Sequence, residues 1–117
     1  MYMSSKYKKF CIYQIYQKGL ENSDNCRYIG STVNFNRRKA QHKKNTTNKR
    51  SKLYNSSLYV FIRKMGGFDN FICEKIIDYP CESREEGLLK EKEYIQSKNS
   101  LLNTIHQSQV RDRLYSV

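Results

Sequence analysis

Two short runs rich in aromatic and β-branched residues, Phe10 to Tyr16 and Arg27 to Thr32, flank a polar connection, Lys18 to Asn25, that contains Gly19. Residue types suited to a pleated, half-buried surface, separated by a stretch with little to bury, predict a β-hairpin. The period of two along a strand groups Tyr13 with Cys11 and Ile15, and Tyr28 with Cys26 and Gly30. In the matching register both phenols share one face of the sheet. A slip of one residue puts them on opposite faces, and the pattern alone does not choose.

The rest of the chain supplies a short series of elements. Asn34 is placed to cap a helix running to about Lys44, on which Arg38 and His42, four apart, point the same way. Asn45 to Asn55 has no apolar period and is rich in Asn, Thr, Lys and Ser, which predicts an exposed, mobile loop. Leu58, Phe61, Ile62 and Met65 follow the spacing of a core-facing helix, with Ser56 or Ser57 as cap and Gly66-Gly67 as stop. Phe71 to Ile77 reads as a strand that is apolar on both faces, Ile72 and Ile76 on one, Phe71, Cys73 and Ile77 on the other. That pattern predicts the central strand of the sheet, covered by helices on each side. Pro80 ends it, and Ser83-Arg84-Glu85-Glu86 has the form of a capping box that opens a last helix. Thr104 to Val117 has no clear period.

At 117 residues the chain suits one small domain with a single core, too small for a catalytic domain plus a separate recognition domain. Its formal charge of +11 is unevenly spread: residues 1–65 hold 15 Lys and Arg against 2 acids, and residues 66–117 hold 7 against 9. A polyanion, nucleic acid above all, is therefore expected to meet the first half. The candidates for contact are Arg37, Lys39, Lys43, Lys44, Lys49, Arg50 and Lys52. Met1 to Lys9 is polar and basic, without the apolar run of a signal peptide, and no segment approaches the ~18 apolar residues of a membrane helix; a soluble, intracellular protein is expected. A membrane-surface role would need a basic amphipathic helix with a wide apolar face, which no segment offers. Cys11, Cys26, Cys73 and Cys81 form no Cys-x-x-Cys pair, and neither His42 nor His106 falls in a zinc spacing, which favours buried free thiols over a zinc site.

The last helix carries a carboxylate in an unusual place. Glu91 lies three after Leu88 and four before Ile95, on their stripe. A carboxylate there is either paired or bound to a cation, because burying it alone is costly; the alternative is that Glu91 and Lys92 edge a half-exposed face. Glu93 projects to the polar side with Glu85, Glu86 and Lys90. A tyrosine pair gathered with a guanidinium, an imidazole and a carboxylate could handle a proton, a phosphate and a metal ion in one place. Singly, each member has a plainer reading, as a strand tyrosine with its hydroxyl at the rim, a solvated helix histidine, or one more cation of a basic face.

In order along the chain, Cys11-Ile12-Tyr13, Tyr28-Ile29-Gly30 with Ser31-Thr32, Arg38 and then His42, Lys64-Met65-Gly66-Gly67-Phe68-Asp69-Asn70-Phe71, Glu91-Lys92-Glu93-Tyr94-Ile95 and Leu102-Asn103 resemble the motifs of the GIY-YIG nucleases. Each motif is weak alone; six in order are specific. One departure stands out, Cys11 in place of the usual Gly, where close packing must accept a small side chain. Arg38, four before His42, fits the family spacing, while Arg37 faces about a third of a turn away, toward backbone phosphate or solvent.

The resemblance implies an α+β fold, a small three-stranded antiparallel sheet flanked by helices, over residues 8–105, with 106–117 as a C-terminal tail. It implies an endonuclease that hydrolyses DNA, expected to be double-stranded, with Mg2+ or Mn2+; the oligomeric state stays open, a dimer included. Glu91 would bind the metal, Arg38 would contact the scissile phosphate, and Tyr13 or Tyr28 would accept a proton from the attacking water. His42 would bond that phenol and pass the proton on, and Asn103 would orient Glu91 or a phosphate. A different class of function, a basic module of the same fold that binds nucleic acid without cutting it, would use the same charge and the ten tyrosines.

Overall fold

The computed structural model describes residues 5–21, 27–98 and 103. Strands β1 (Cys11–Gln17) and β2 (Arg27–Thr32) pair antiparallel, with Tyr13 opposite Gly30 and Ile15 opposite Tyr28. This is the register that puts both phenols on one face, their ring centroids 6.4 Å apart. Strand β3 (Phe71–Asp78) pairs with the other side of β1, so the sheet is three-stranded and antiparallel in the order β2-β1-β3.

The central strand is thus β1, which corrects the expectation placed on Phe71 to Ile77. β1 is covered on both faces, with Cys11, Ile12, Tyr13, Ile15 and Tyr16 all buried, whereas β3 is an edge strand whose burial fades after Cys73. A register shift lies where Ile12 pairs with Ile77 and Tyr13 with Lys75, leaving Ile76 as the extra residue of a bulge. Ile76 packs near Ile12, while Ile77 is turned out and 39% exposed rather than sharing a buried face with Phe71 and Cys73.

Helix α1 (Phe35–Thr47) starts where expected: the Asn34 side chain accepts the Arg37 N–H at 3.1 Å. It continues past Lys44, so Asn45 belongs to the helix and the segment after it is pinned rather than a free loop. Thr46 is buried and its hydroxyl donates to His42 O at 2.8 Å. Arg63 donates to Thr46 O at 3.0 Å and to Tyr54 O at 2.7 Å, and stacks on the Tyr54 ring at 3.6 Å. Polar bonds do this work, so no apolar period announced it.

Helix α2 (Ser57–Lys64) buries Leu58, Tyr59 and Ile62. Met65 does not complete the stripe and is 40% exposed, because Gly66 (φ 107) and Gly67 (φ 94) turn the chain immediately after it. The Asn70 amide closes that turn by donating to Met65 O at 2.7 Å. Helix α3 (Arg84–Lys98) is capped by Ser83, whose hydroxyl accepts the Glu86 N–H at 3.1 Å, while the Glu86 carboxylate accepts from Glu82 N at 3.0 Å. Leu88 is 39% exposed, so the inward stripe is not the one expected from Leu88. It runs through Gly87, Glu91, Tyr94 and Ile95, and a Cβ on Gly87 would stand 2.4 Å from Phe10 Cζ.

These elements form three layers. α1 and α2 cover the tyrosine face of the sheet around Tyr13, Ile15, Leu58, Tyr59, Ile62, Phe71 and Cys73. α3 lies against β2, with Tyr94 and Ile95 packed on the opposite core of Phe10, Ile12, Ile29 and Cys81. Cys11, Cys73 and Cys81 are buried free thiols; Cys26, His106 and the 106–117 tail lie outside the described residues. Gly87→Ala is expected to destabilise the fold by ~1–3 kcal/mol through overpacking against the buried Phe10 ring, read by denaturant unfolding, whereas Leu88→Ala on the outer side changes stability far less.

Candidate active site

The pairing of Tyr13 with Gly30 sets the geometry of the site. A Cβ built on Gly30 would lie 2.5 Å from both the Cζ and the hydroxyl oxygen of Tyr13, so the phenol rests where only glycine leaves room. Tyr13 is 1% exposed and its hydroxyl lies 2.6 Å from His42 Nε2. The other ring nitrogen, Nδ1, is 2.8 Å from the Tyr59 hydroxyl, and Asn45 Nδ2 donates to that hydroxyl at 3.3 Å. Tyr28 is half-buried at the rim and meets the His42 ring edge-on, with centroids 5.8 Å apart. Tyr59 and Asn45 were not legible as site residues. Tyr59, three before Ile62 on a helix, looks like packing, and Asn45 sits in a stretch with no pattern; a phenol within an apolar stripe was the one available signal.

Glu91 reaches the same place from the other side of the sheet. Because β2 is an edge strand, α1 on one face and α3 on the other can converge across its free edge. Ser31 Oγ donates to Glu91 Oε1 at 3.1 Å. Arg38, one turn before His42, is exposed and donates to Gln41 at 3.2 Å. Its guanidinium nevertheless acts on Tyr13, Tyr28, Tyr59 and Glu91, favouring the ionised form of each.

Burial opposes that pull. It pushes Tyr13 well above the usual phenol value, helped by Tyr28. Tyr28 is raised by burial first, then by Tyr59 and Glu91, and Tyr59 by burial against Asn45 and Arg38. Burial also raises Glu91, against the Ser31 hydrogen bond and the charges of Arg38 and Arg84. The phenols are therefore neutral near pH 7, and ionising Glu91 costs the fold some stability.

Asn103 is buried elsewhere. Its side-chain carbonyl accepts the Ile29 N–H and its amide donates to Ile29 O, both at 2.6 Å. It occupies the outward backbone groups of β2 between Tyr28 and Gly30 rather than orienting Glu91 or a phosphate. Cys11 is fully buried and in register with Thr32, so the strand accepts a thiol at that position.

Five of the six expected site residues thus converge: Tyr13, Tyr28, Arg38, His42 and Glu91. Of the basic set, Lys44, Arg50 and Lys52 line, with Arg38, Gln41 and Asn45, an open groove of 720 Å3. Arg37, Lys39, Lys43 and Lys49 are exposed outside it.

The family model of the GIY-YIG catalytic domain matches residues 9–105. The chain belongs to the GIY-YIG family. No curated protein and no solved structure matches it. At the level of the family, this makes the chain a nuclease, a phosphodiester hydrolase whose substrate is nucleic acid, in a family that generally depends on a metal ion. Among the described residues no helix is long and apolar enough to cross a membrane.

The donor set can be tested against such an ion. Among the described residues no three His, Cys, Asp or Glu side chains gather into a cage. Among the described residues Glu91 is the carboxylate of the site, half-buried at the β2 edge. That suits a hard cation that takes one or two carboxylates and keeps several waters, as Mg2+ does, and does not suit a structural zinc.

The raised Glu91 carries a testable sign. A carboxyl group whose folded-state pKa lies above its ordinary 4.5 stabilises the fold below that pH and loses that contribution as pH rises through the folded value. Glu91→Gln, neutral throughout, should therefore have a higher Tm than wild type at pH 7, with the difference closing as the pH falls toward 4.5. Thermal unfolding across that range in metal-free buffer reads the outcome.

Proposed function

We propose that the protein is an intracellular, metal-dependent endonuclease that hydrolyses phosphodiester bonds of double-stranded DNA. The observation that carries this reading is the 2.6 Å hydrogen bond between Tyr13 and His42 Nε2, beside Tyr28, Arg38 and Glu91. A proton path, a phosphate ligand and a cation ligand then share one surface.

In this reading the tyrosine pair takes a proton from the attacking water, and the proton leaves through Tyr13, the phenol bonded to His42. Burial keeps both phenols neutral, so neither is a ready-made base; transfer to the imidazole as the water is deprotonated avoids a buried phenolate. Arg38, planar and always charged, donates to the scissile phosphate as charge builds on it. Glu91 would hold Mg2+ or Mn2+, and such an ion would supply Lewis-acid stabilisation of the charge that builds at the phosphate. Asn103 contributes by holding β2 at Ile29, and so the spacing of Tyr28 and Gly30. The strand beyond the scissile phosphate follows the groove, where Lys44, Arg50 and Lys52 meet successive phosphates; Arg37, Lys39, Lys43 and Lys49 add contacts outside it.

Plasmid cleavage tests the reading. Supercoiled plasmid should be nicked with Mg2+ or Mn2+ and left intact with chelator. Glu91→Ala and Tyr13→Phe should each lower the rate by about 100-fold or more, and Tyr28→Phe by less than Tyr13→Phe. Should wild type leave the plasmid intact with either ion while still shifting it in a gel, the hydrolase reading fails and the non-cutting binding module takes its place. Metal binding has its own readout, because Mg2+ should raise the Tm of wild type and not of Glu91→Gln. Replacing Lys44, Arg50 and Lys52 together by Ala should weaken binding alike on unrelated sequences and flatten the salt dependence by about 0.9 per lost phosphate contact, measured by titration against salt.

A further inference from the structure

We infer that Tyr59, held by Asn45, sets the tautomer of His42 and is thereby a positioning residue of the proposed nuclease site, an inference that rests on the reading above. His42 is buried, and each ring nitrogen faces a phenol: Nε2 faces Tyr13 at 2.6 Å and Nδ1 faces Tyr59 at 2.8 Å. A neutral imidazole has one N–H and one lone pair, and the partner of one nitrogen decides what the other can do. If Nδ1 carries the hydrogen, Nε2 is free to accept the Tyr13 proton. If Nε2 carries it, the ring donates to Tyr13 and cannot serve as its base.

Tyr59 selects the first arrangement by accepting from Nδ1–H. Asn45 Nδ2 also donates to the Tyr59 hydroxyl, at 3.3 Å, which favours the phenol oxygen as an acceptor at this position; in the inferred arrangement it accepts from both N–H groups and its own hydrogen turns to neither. Two helices build the arrangement. His42 and Asn45 lie three apart on α1, and Tyr59 comes from α2, packed against it. Packing alone does not account for the hydroxyl, since a phenylalanine would fill the same apolar position beside Leu58 and Ile62. A hydroxyl placed there needs partners, and His42 and Asn45 are among them.

The test reads the tautomer directly. In the full chain labelled with 15N-histidine, at alkaline pH where an ordinary imidazole is neutral, the ring signals of His42 should show a protonated Nδ1 and a bare Nε2; a His106→Gln variant assigns them. Tyr59→Phe and Asn45→Ala should both shift the ring toward the Nε2–H form. Tyr59→Phe should also lower kcat for plasmid nicking by ~10- to 100-fold, the usual effect of removing a group that orients another, with KM changed less than twofold. Wild-type signals showing Nε2–H, or a tautomer left unmoved in the folded variants, would overturn the inference. Asn45→Ala keeps the Tyr59 ring in its core position and answers the question even if Tyr59→Phe fails to fold. A wild-type protein that fails to nick plasmid would refute the nuclease reading alone, because the ring signals need no cleavage.

Discussion

The pairing of Tyr13 with Gly30 is the constraint on which the rest depends. Antiparallel register fixes which side chains share a face, and a shift by one residue would reverse every assignment along β2. The register found brings Tyr28 diagonally beside Tyr13 and lets the Tyr13 ring lie over the glycine, where a side chain would collide with its hydroxyl end. From there the phenol reaches His42 on α1, and through His42 the site reaches Tyr59 on α2. Core and site are therefore the same packing seen from two sides: Tyr13 and Tyr59 belong to the apolar cluster and to the hydrogen-bonded chain at once.

The edge position of β2 is the second device. An edge strand leaves outward N–H and C=O groups without partners from the sheet, a liability that proteins cover. Here the Asn103 amide meets both groups of Ile29, in the manner of a one-residue extra strand. Beyond that point the edge is open to Glu91, which comes from α3 and bonds Ser31, while Arg38 arrives from α1 on the other face. Burial then works against ionisation of Tyr13, Tyr28 and Glu91 alike, and Arg38 is the charge that opposes it at all three, joined by Arg84 at Glu91. Gathering titratable groups whose charged forms are disfavoured is typical of sites held together at some cost to stability.

Several sequence-based expectations failed for reasons that particular residues make clear. The apolar run of β3 looked central because Ile76 and Ile77 continue it, but a bulge turns Ile77 outward at a sheet edge. β1, whose Gln14 and Gln17 make it look half-polar, is the covered strand. Met65 matched the helical period and yet sits at the C-cap, just before the glycine turn, and is exposed, whereas Tyr59 is buried in its stead. On α3 the stripe expected from Leu88 is turned outward, while a close approach to the core is made by Gly87, which has no side chain to register in a hydrophobic period. The stretch after Lys44 was unreadable because Thr46, Arg63 and Tyr54 hold it through polar bonds that leave no hydrophobic period.

The sequence by itself determined the hairpin, the helix caps at Asn34 and Ser83, the glycine stop at Gly66-Gly67, the basic first half and the motifs of a GIY-YIG domain. Each of these is local or compositional, set by propensity, capping chemistry or residue type within a few positions. Tertiary structure alone decided the register of Tyr13 against Gly30, which strand is central, and that Asn103 serves the backbone of Ile29 rather than Glu91. It also decided that Tyr59 and Asn45 stand behind His42. Those outcomes turn on contacts between residues far apart in the chain, 29 positions for Tyr13 and His42 and 74 for Asn103 and Ile29. No local pattern encodes such pairings, because they follow from how whole elements pack across a shared core.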